Sequence, residues 1–495
     1  MKSLFIKPYA RYVARKVASE RSRAIEDQSK VFQQLISAAA KTQFGSDHHF
    51  SEIKSYKDYQ EMVAIRDYES LRPYVDRIVD GKPDILWPGK PKYFAKTSGT
   101  TSGIKYIPIS KESIPNHVNT AQKALMTYAS HGNKAKLFDG KVMFLSGSPT
   151  LEHRHGIAIG RLSGIVNHEI PSFIKGNQLP TYDINCIEDW EAKVDAIVEQ
   201  TKSSDLRLIS GIPPWVQMYF ERMLTATGKS KIVDVFPNLQ VFIYGGVNYE
   251  PYREAMEALI GKRIDSIELY PASEGFLAYQ DTLENQGLLL NTNSGIFYEF
   301  VPLSEWGSDT AKRLTLDEVE RNVDYVVILS NNAGLWAYNL GDTIRFVSLD
   351  PYRLVVSGRV KHFISAFGEH VIGKEVEEAL IQTCNKHRSS VIEYTVAPQV
   401  TPSEGLPYHE WCIEWERSPE DLVSFKSDLD QALRAQNSYY DDLISGSILR
   451  PLVITSLKQG SFRSYMKSKG KLGGQNKVPR LSNDRKIADV LTSDY

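Results

Sequence analysis

The 495-residue sequence predicts an α/β protein with a large N-terminal α/β body, an appended antiparallel β subdomain and a small, mobile α+β C-terminal domain. Between residues 142 and 270, short apolar runs of strand type alternate with helical patterns, which is typical of a largely parallel sheet. From about residue 290, strand-like runs follow one another with only turns between them, which indicates antiparallel pairing. With 42% apolar and 24% charged residues, the chain can bury a large core.

The first part of the chain, residues 8–40, predicts a helix that begins with a basic stretch. The first nineteen residues carry five Lys and Arg side chains and no acidic one. A transit peptide or a helix on a membrane surface could have this pattern. Acidic residues follow at Glu20, Glu26 and Asp27, so we favour a helix that packs on the body with a solvated basic face.

Charge, hydropathy and cysteine usage exclude several classes of function. The net charge of −1, from 59 basic and 60 acidic residues, does not favour a nucleic acid partner. No run of 18 apolar residues and no secretory signal is visible, so we expect a cytoplasmic protein without stable membrane association. The three cysteines, Cys186, Cys384 and Cys412, form no Cys-x-x-Cys pair, so neither a zinc site nor a disulfide framework is indicated.

Strands and helices alternate through the middle of the chain. We predict strands at 142–145, 206–209, 239–244 and 266–270, and helices at 187–202, 213–226 and 251–260. In such sheets, ligands bind at the carboxyl ends of the strands, so the residues that follow each strand are candidates for a site.

The antiparallel part and the C-terminal domain follow. Further strands are predicted at 297–301, 325–329, 343–347 and 353–357. They make a barrel-like part near 290–357 of a large domain that covers residues 1–357. Residues 358–495 predict the small domain, with helices at 374–387 and 419–436 and strands near 391–397 and 409–415.

The segment from Thr97 to Lys105 carries the strongest chemical signal. Two glycines and five hydroxyl residues occupy seven consecutive positions, and a lysine follows. Glycines let a backbone approach a ligand, hydroxyls donate hydrogen bonds and the lysine adds charge, which together suit phosphate. The spacing differs from that of a Walker A loop, because only three residues separate the glycines and Ile104 precedes the lysine. A flexible polar surface loop is the alternative.

Two further motifs follow predicted strands or lie between them. In Tyr270-Pro-Ala-Ser273-Glu274, an aromatic ring could stack on a base, and the hydroxyl and carboxylate suit phosphate and Mg²⁺. In Tyr338-Asn-Leu-Gly-Asp342, expected between strands, the carboxylate either caps a turn or accepts hydrogen bonds from ribose hydroxyls.

Two basic segments mark the small domain. Gly358 and Arg359 lie at the predicted domain junction, where they could hold a nucleotide while the small domain swings. Glycines precede Lys477 in the segment 473–480, which suggests a mobile loop that delivers a cation. A solvated basic face is the ordinary alternative for such a charge run.

Together these segments resemble the adenylate-forming superfamily of acyl ligases. More closely, they resemble the bacterial branch of the Gretchen Hagen family of auxin-responsive acyl acid-amido synthetases. The Ser/Thr-rich, Tyr-x-x-Ser-Glu and Tyr-x-x-Gly-Asp motifs of that family are matched in order, and residues 358–359 and 475–480 extend the match. Two positions depart from the superfamily: Asn339 replaces the usual Arg, and His362 or its neighbour replaces an acidic hinge residue.

The resemblance implies a two-step ligation that uses ATP and Mg²⁺. A carboxylic acid attacks the α-phosphate to give an acyl-adenylate and pyrophosphate; the small domain rotates, and the amine of an amino acid then attacks the carbonyl. The implied nucleotide-binding residues are Ser98, Gly99, Thr100, Thr101, Lys105, Gly245, Gly246, Tyr270, Ser273 and Asp342. The implied catalytic residues are Lys477, Glu274 and Arg359, and Glu274 is also the implied ligand of Mg²⁺.

The acyl pocket and the acceptor are less defined by the sequence. Trp215 and Tyr244 are candidates for the pocket, because both lie near the nucleotide end of the predicted sheet; ordinary core packing is the alternative. One alternative function is an acyl-CoA ligase with a thiol acceptor. Another is a nucleotide-binding regulatory protein without catalytic activity. The presence of Glu274, Arg359 and Lys477 argues against this alternative.

Overall fold

The chain divides into two compact units. A computed structural model of the protein describes residues 2–99, 103–170, 175–187, 189–246, 249–284, 286–308, 310–360, 363–364, 371–400, 402–445, 449–471, 477–482 and 484–494. The N-terminal unit comprises Met1–Leu340 and Ile344–Val355, and the C-terminal unit comprises Gly341–Thr343 and Val356–Tyr495. The domain boundary that we predict between residues 357 and 358 stays a proposal.

The helices of the described residues follow in chain order. They are α1 (Lys2–Arg21), α2 (Ala24–Ala39), α3 (Gln43–Asp47), α4 (Tyr56–Met62), α5 (Tyr68–Val79), α6 (Ile114–Ser130), α7 (Leu162–Glu169), α8 (Tyr182–Asn185), α9 (Trp190–Thr201), α10 (Pro213–Thr227), α11 (Glu250–Ile260), α12 (Gly373–His387), α13 (Leu422–Gln436), α14 (Ser438–Ser445), α15 (Ser461–Ser468) and α16 (Lys486–Asp494).

The strands are numbered in the same way. They are β1 (Tyr93–Gly99), β2 (Gly103–Ile109), β3 (Lys141–Phe144), β4 (Glu152–Arg154), β5 (Ile157–Gly160), β6 (Gln178–Leu179), β7 (Leu206–Ser210), β8 (Val241–Gly245), β9 (Asp265–Ala272), β10 (Gly275–Tyr279), β11 (Leu288–Leu290), β12 (Ile296–Pro302), β13 (Asp324–Asn331), β14 (Tyr338–Leu349), β15 (Tyr352–Arg359), β16 (Phe363–Ile364), β17 (Val371–Ile372), β18 (Ser390–Gln399), β19 (Tyr408–Arg417) and β20 (Val453–Leu457).

One eleven-stranded sheet organises the N-terminal unit, in the order β12-β13-β14-β15-β11-β10-β9-β8-β7-β3-β6. The strands β6, β3, β7, β8 and β9 are parallel. The bounds of β3, β7, β8 and β9 and of helices α9, α10 and α11 agree with the predicted elements to within about three residues, whereas β6, α7 and α8 were not predicted. The antiparallel strands predicted near 290–357 are present, but they continue this same sheet rather than forming a separate barrel. Strand β14 begins five residues before the predicted 343–347, so Asp342 lies within a strand and not between strands.

The structure has two helices in place of the single predicted N-terminal helix, because a turn separates Arg21 from Ala24. Helix α1 buries Ala10, Val13 and Val17 in the core beside α6, while most of its basic side chains are exposed. The expectation of a helix packed on the body is therefore confirmed. Among the helices that are described, none has the length and apolar character needed to cross a membrane.

The C-terminal unit has its own core and a three-stranded sheet of order β18-β19-β20. Strand β19 pairs antiparallel to β18 and parallel to β20. Its core includes Trp411, Ile413, Phe425 and Leu429, each fully buried between the sheet and helices α12 and α13. The helices and strands predicted from residue 374 to residue 436 are confirmed, and this α+β unit has the predicted fold class.

Candidate active site

The carboxyl ends of the parallel strands β8 and β9 bring the first candidate residues together. In their register, Gly245 pairs with Leu269, the residue before Tyr270. A side-chain Cβ at Gly245 would lie 2.6 Å from the carbonyl oxygen of Leu269, so only glycine permits this close approach. Gly246 follows with φ of +74°, a left-handed conformation that glycine adopts without strain. At this edge of the sheet, two glycines without side chains, Gly245 and Gly246, therefore lie beside the Tyr270 motif.

Ser273 and Glu274 form the tight turn between β9 and β10, and a buried amide holds this turn in place. Asn331, 2% exposed at the end of β13, donates from Nδ2 to the carbonyl oxygen of Glu274 at 2.7 Å. Its Oδ1 accepts hydrogen bonds from the backbone N–H groups of Ala333 and Leu335, both at 3.0 Å. One side chain therefore fixes both the Glu274 turn and the loop that leads into β14.

Tyr338, the first residue of β14, joins the second and third motifs. Its hydroxyl donates to Oε1 of Glu274 over 3.5 Å. Burial, together with the neighbouring Glu274 carboxylate, raises the pKa of Tyr338, so the phenol stays protonated and can donate. The backbone of Arg66 pairs with this start of β14, accepting from the N–H of Asn339 at 2.7 Å. The ring of Tyr338 is thus held beside the Glu274 carboxylate.

The Ser/Thr-rich segment is a β-hairpin rather than an open loop. Strands β1 and β2 pair so that Thr97 faces Lys105 and Gly99 faces Gly103. Ser98 and Gly99 therefore lie within β1, which corrects the expectation of a loop from residue 97 onward. Thr100 and Thr101, predicted to contact phosphate, lie outside the described residues.

Tyr68, which the sequence analysis did not select, links this hairpin to Tyr338. Lys105 Nζ lies 5.5 Å from the centroid of the Tyr68 ring, within the range of a cation–π contact. The Tyr68 hydroxyl accepts a hydrogen bond from the N–H of Tyr106 at 2.9 Å. Tyr68 is also close enough to Tyr338 to contribute to its raised pKa. Lys105 therefore contacts Tyr68, and Tyr338 contacts Glu274, with the two tyrosines near enough to interact electrostatically.

Asp342 and Arg359 lie on the neighbouring strands β14 and β15. Asp342 is buried, and the N–H of Val360 donates to the carbonyl oxygen of Gly341 at 2.8 Å, which joins the two strands at this point. Asp342 belongs by its contacts to the C-terminal unit, whereas Tyr338 belongs to the N-terminal one. The backbone of Arg359 ends β15; its side chain is outside the description, as is His362.

Lys477 is exposed in the C-terminal unit, and Arg480, three residues later, is bound to the rest of that unit by ion pairs and a backbone hydrogen bond. Arg480 lies 3.3 Å from a carboxylate oxygen of Glu377 and 3.5 Å from one of Glu393. Its carbonyl oxygen accepts a hydrogen bond from the N–H of Val396 at 2.9 Å. Because this anchor begins three residues after Lys477, the lysine lies next to a fixed stretch of backbone.

The two pocket candidates have different surroundings. Tyr244 stacks on Phe242 at 5.4 Å and packs against Tyr249 at 5.1 Å between ring centroids. These contacts favour core packing for Tyr244, and burial raises the pKa of its phenol. Trp215 lies in the first turn of α10, directly after the carboxyl end of β7, and is 9% exposed. Because Trp215 lies at the carboxyl edge of the parallel strands, it stays a candidate for lining the acyl pocket.

The donor set suits magnesium only in combination with phosphate. Among the described residues, no group of three or more His, Cys, Asp or Glu side chains could hold a metal by itself. Magnesium at nucleotide sites takes one or two protein carboxylates, with phosphate and water supplying the other ligands. Glu274, half-buried and held beside the Tyr338 hydroxyl, fits that more limited role.

The fold of the chain is shared with solved structures of ligases. It matches the solved structure of GH3.15 acyl acid amido synthetase, with a TM-score of 0.79 at 14% identity, over 97% of this chain and 95% of that one. It also matches a 2-hydroxyisobutyryl-CoA ligase in the postadenylation state in complex with 2-HIB-AMP, with a TM-score of 0.61 at 12% identity, over 95% and 91% of the two chains. The fold is thus shared with acyl-activating ligases.

Within that class, family models identify the chain. The GH3 family N-terminal domain matches residues 13–179, the central domain 289–359 and the C-terminal domain 374–486. The chain belongs to the GH3 family, which confirms the resemblance of its motifs at the level of the family. It is 22% identical over 518 residues to a jasmonoyl–L-amino acid synthetase of Nicotiana attenuata, with 88% of each chain covered. It is 25% identical over 213 residues to an indole-3-acetic acid-amido synthetase of Arabidopsis thaliana, covering 40% of this chain and 35% of that protein.

Proposed function

We propose that this protein is an ATP-dependent acyl acid-amido synthetase. It would convert a carboxylic acid to an acyl-adenylate with release of pyrophosphate, and then transfer the acyl group to the amine of an amino acid. The observation that carries the proposal is the contact of Glu274 with Tyr338, which joins two nucleotide motifs that lie 64 residues apart along the chain. Membership of the GH3 family and the amido synthetase names of its relatives support the same activity.

The proposed phosphate site is the β1–β2 hairpin. Lys105 supplies a cation there, and Tyr68 limits the directions in which its ammonium can move. Ser98, Gly99, Thr100 and Thr101 would donate hydrogen bonds to the departing pyrophosphate. Adenylyl transfer needs little covalent help from the protein, so fixed donors and cations account for much of the expected rate.

Glu274 is the proposed ligand of Mg²⁺, which when bound would neutralise phosphate charge as the pyrophosphate leaves. The hydroxyl of Tyr338 orients the Glu274 carboxylate, and Asn331 fixes the backbone below it. Ser273, in the same turn, would contact the α-phosphate. The chain's own contribution is therefore a preoriented carboxylate and hydroxyl, which need no rearrangement when the nucleotide binds.

The nucleoside would bind along the carboxyl edge of β8 and β9. The bare backbone of Gly245 and Gly246 and the ring of Tyr270 suit the flat faces of adenine. Asp342 would accept hydrogen bonds from the ribose, with Arg359 near it, and Lys477 would balance charge on the adenylate. We also propose that the small domain, residues 358–495, rotates between the two steps.

Two finer assignments belong to the same proposal. The motif resemblance supports the bacterial branch of the family. A cytoplasmic location would supply the ATP and free amino acids that the proposed reaction consumes.

The test is a screen for pyrophosphate release over a panel of carboxylic acids, with the amide product detected by mass spectrometry. We expect release with a subset of acids and an amide when amino acids are added. Glu274→Gln should lower the rate of release by about 10²–10³-fold. The matched control, Glu254→Gln on the exposed face of α11, should leave the rate unchanged.

Two outcomes would contradict the proposal. If no acid supports pyrophosphate release from folded protein, the protein is not an adenylate-forming enzyme. If CoA yields a thioester while no amino acid yields an amide, the acceptor is a thiol and the enzyme is an acyl-CoA ligase.

A further inference from the structure

A second polar cluster lies at the carboxyl end of β3, within the N-terminal unit. Lys193, on α9, is only 2% exposed, and its ammonium donates to the carbonyl oxygens of Ser146 at 3.0 Å and Asn185 at 2.7 Å. Arg161 precedes α7 and runs beside the loop after β3, since a Cβ at Gly147 would lie 3.2 Å from its Cδ. Two cationic side chains therefore converge on one loop.

Neither Lys193 nor Arg161 forms an ion pair with any residue in the described part of the chain. Burial lowers the pKa of Lys193 to about 8; the nearby Cys186 acts in the opposite direction, and repulsion by Arg161 adds a smaller lowering. A buried ammonium that contacts only carbonyl oxygens is unfavourable compared with one that is paired with an anion.

Two other polar atoms in the cluster have no partner among the residues that the structure describes. Oδ1 of Asn185, a side chain that is 1% exposed, and Oγ of Ser163 are both buried without a hydrogen bond to any of them. Helix α7 begins beside them with no side-chain cap on its first N–H groups. Buried polar atoms in native proteins are nearly always hydrogen-bonded. The Ser163 hydroxyl and the two cations, which pair with no described acidic residue, therefore favour an anionic ligand, whereas the Asn185 oxygen is an acceptor and would need a donor.

The sheet register gives the distance from this cluster to the proposed adenylation site. Phe144 of β3 pairs with Ser210 of β7, which pairs with Ile243 of β8. Phe144 and Ile243 are therefore level with each other and two strand spacings apart, about 10 Å. Ser146 and Gly245 each follow two residues later along the chain. An α-amino acid holds its amine and carboxylate on one carbon, which is too short a separation to bridge this distance. A longer acyl acid can bridge it.

We infer that Lys193 and Arg161 form a subsite for a carboxylate at the far end of the acyl acid, so that the preferred substrates are dicarboxylic acids. This inference rests on the proposed function, since it assigns specificity within the same reaction. One carboxyl group reacts at the edge of β8 and β9, while the other binds unreacted at the carboxyl end of β3. Pairing of that carboxylate with the buried Lys193 ammonium and the exposed Arg161 guanidinium then selects for substrate length as well as charge.

The test compares dicarboxylic acids of four to ten carbons with monocarboxylic acids of the same lengths. For each acid, kcat/KM is measured by pyrophosphate release, in the full-length wild type and in Lys193→Met and Arg161→Gln. We expect the wild type to prefer one dicarboxylic acid over its monocarboxylic counterpart. Each variant should lower that preference by about 10- to 100-fold, the usual effect of losing a charged hydrogen bond, with monocarboxylic acids unaffected.

Arg161 is exposed, so Arg161→Gln should fold even if the buried Lys193→Met does not. The matched control is Lys202→Met, which removes an exposed lysine at the end of the same helix as Lys193. Lys202→Met should leave the ratio of kcat/KM for each dicarboxylic acid to that for its monocarboxylic counterpart unchanged.

Three results would overturn the subsite, and each differs from failure of the proposed function. A wild type that releases pyrophosphate with monocarboxylic acids but shows no preference for any dicarboxylic acid overturns the subsite alone. Variants that lose activity equally toward all acids indicate a structural role for the cluster. Variants that raise only the KM of the amino acid assign the carboxylate to the acceptor. Absence of pyrophosphate release with every acid contradicts the proposed function itself.

Discussion

At the scale of single residues, the candidate site depends on side chains that orient other side chains. Glu274 carries the chemistry in the sequence motif, but its position follows from Tyr338 and Asn331, which lie on different strands. Tyr68 has the same relation to Lys105. Such positioning residues determine the geometry that an electrostatic mechanism needs.

Removing the hydroxyl of Tyr338 tests the orientation of Glu274. Tyr338→Phe should slow pyrophosphate release by about 10- to 100-fold, because the Glu274 carboxylate loses a hydrogen bond that fixes its direction. The matched control is Tyr128→Phe, which removes a hydroxyl that donates to Asp265 at 2.6 Å, at the opposite end of β9. Equal losses of activity in the two variants would contradict a specific role for Tyr338.

Asn331 stabilises the fold and also holds the Glu274 turn of the candidate site in place. Asn331→Ala should lower the free energy of unfolding by about 2–5 kcal/mol, because buried groups that it now satisfies would lose their partners. Urea unfolding measures this change. Asn238→Ala, at an exposed asparagine, should change the free energy by less than about 0.5 kcal/mol. A small effect at Asn331 would mean that water replaces the amide.

At the scale of elements, the proposed nucleotide edge depends on how closely two strand ends approach. The contact of Gly245 with the backbone of Leu269 leaves no room for a side chain at position 245. The nearest atom is the carbonyl oxygen of Leu269, which belongs to the main chain and cannot rotate away as a side chain could. The β1–β2 hairpin has a related constraint, since the N–H of Tyr106 is held by the hydroxyl of Tyr68 on α5.

Gly245→Ala tests this close approach. The added methyl should separate the ends of β8 and β9, lowering the free energy of unfolding by about 1–3 kcal/mol and weakening binding of ATP. Thermal unfolding with and without nucleotide measures both effects. Gly176→Ala is the control, since a Cβ there would meet no atom within 4 Å. Unfolding temperatures that match in both variants would show that the strand ends can adjust.

At the scale of the whole molecule, the two units have separate hydrophobic cores. The core around α1, α6 and the parallel strands contains only residues of the N-terminal unit. The core between the three-stranded sheet, α12 and α13 contains only residues of the C-terminal unit. A substitution in one of these two cores therefore acts first on the unit that contains it.

Differential scanning calorimetry can separate the two units. Leu429→Ala, in the core of the C-terminal unit, should destabilise that unit by about 2–5 kcal/mol, because it leaves a cavity among buried side chains. The transition of the C-terminal unit should move to lower temperature while that of the N-terminal unit stays in place. Leu422→Ala, at an exposed leucine of the same helix, is the control. A single transition that shifts as a whole would show that the units unfold together.

Much of the fold could be predicted from the sequence because the relevant signals are local. Apolar periodicity predicted β7, α10, β8, α11 and β9 closely, since each element buries one face or both. The course of the antiparallel strands was harder to predict, because their pairing with β11 and β10 in one sheet depends on contacts between distant residues. Strand β14 was predicted too short for a similar reason: Gly341 and Asp342 have the composition of a turn, but pairing with Arg66 starts the strand before them.

The sequence by itself determined the order of the elements, the balance of charge and the motifs that indicate nucleotide chemistry. The tertiary structure decided which side chains meet. Tyr68, Asn331 and Lys193 have no sequence signal, because an aromatic, an amide or a lysine within a helix or strand is ordinary in composition. Their significance comes from burial and from partners far away in the chain, such as Lys105 for Tyr68 and Ser146 for Lys193. Folding sets those distances, and local periodicity contains no information about them.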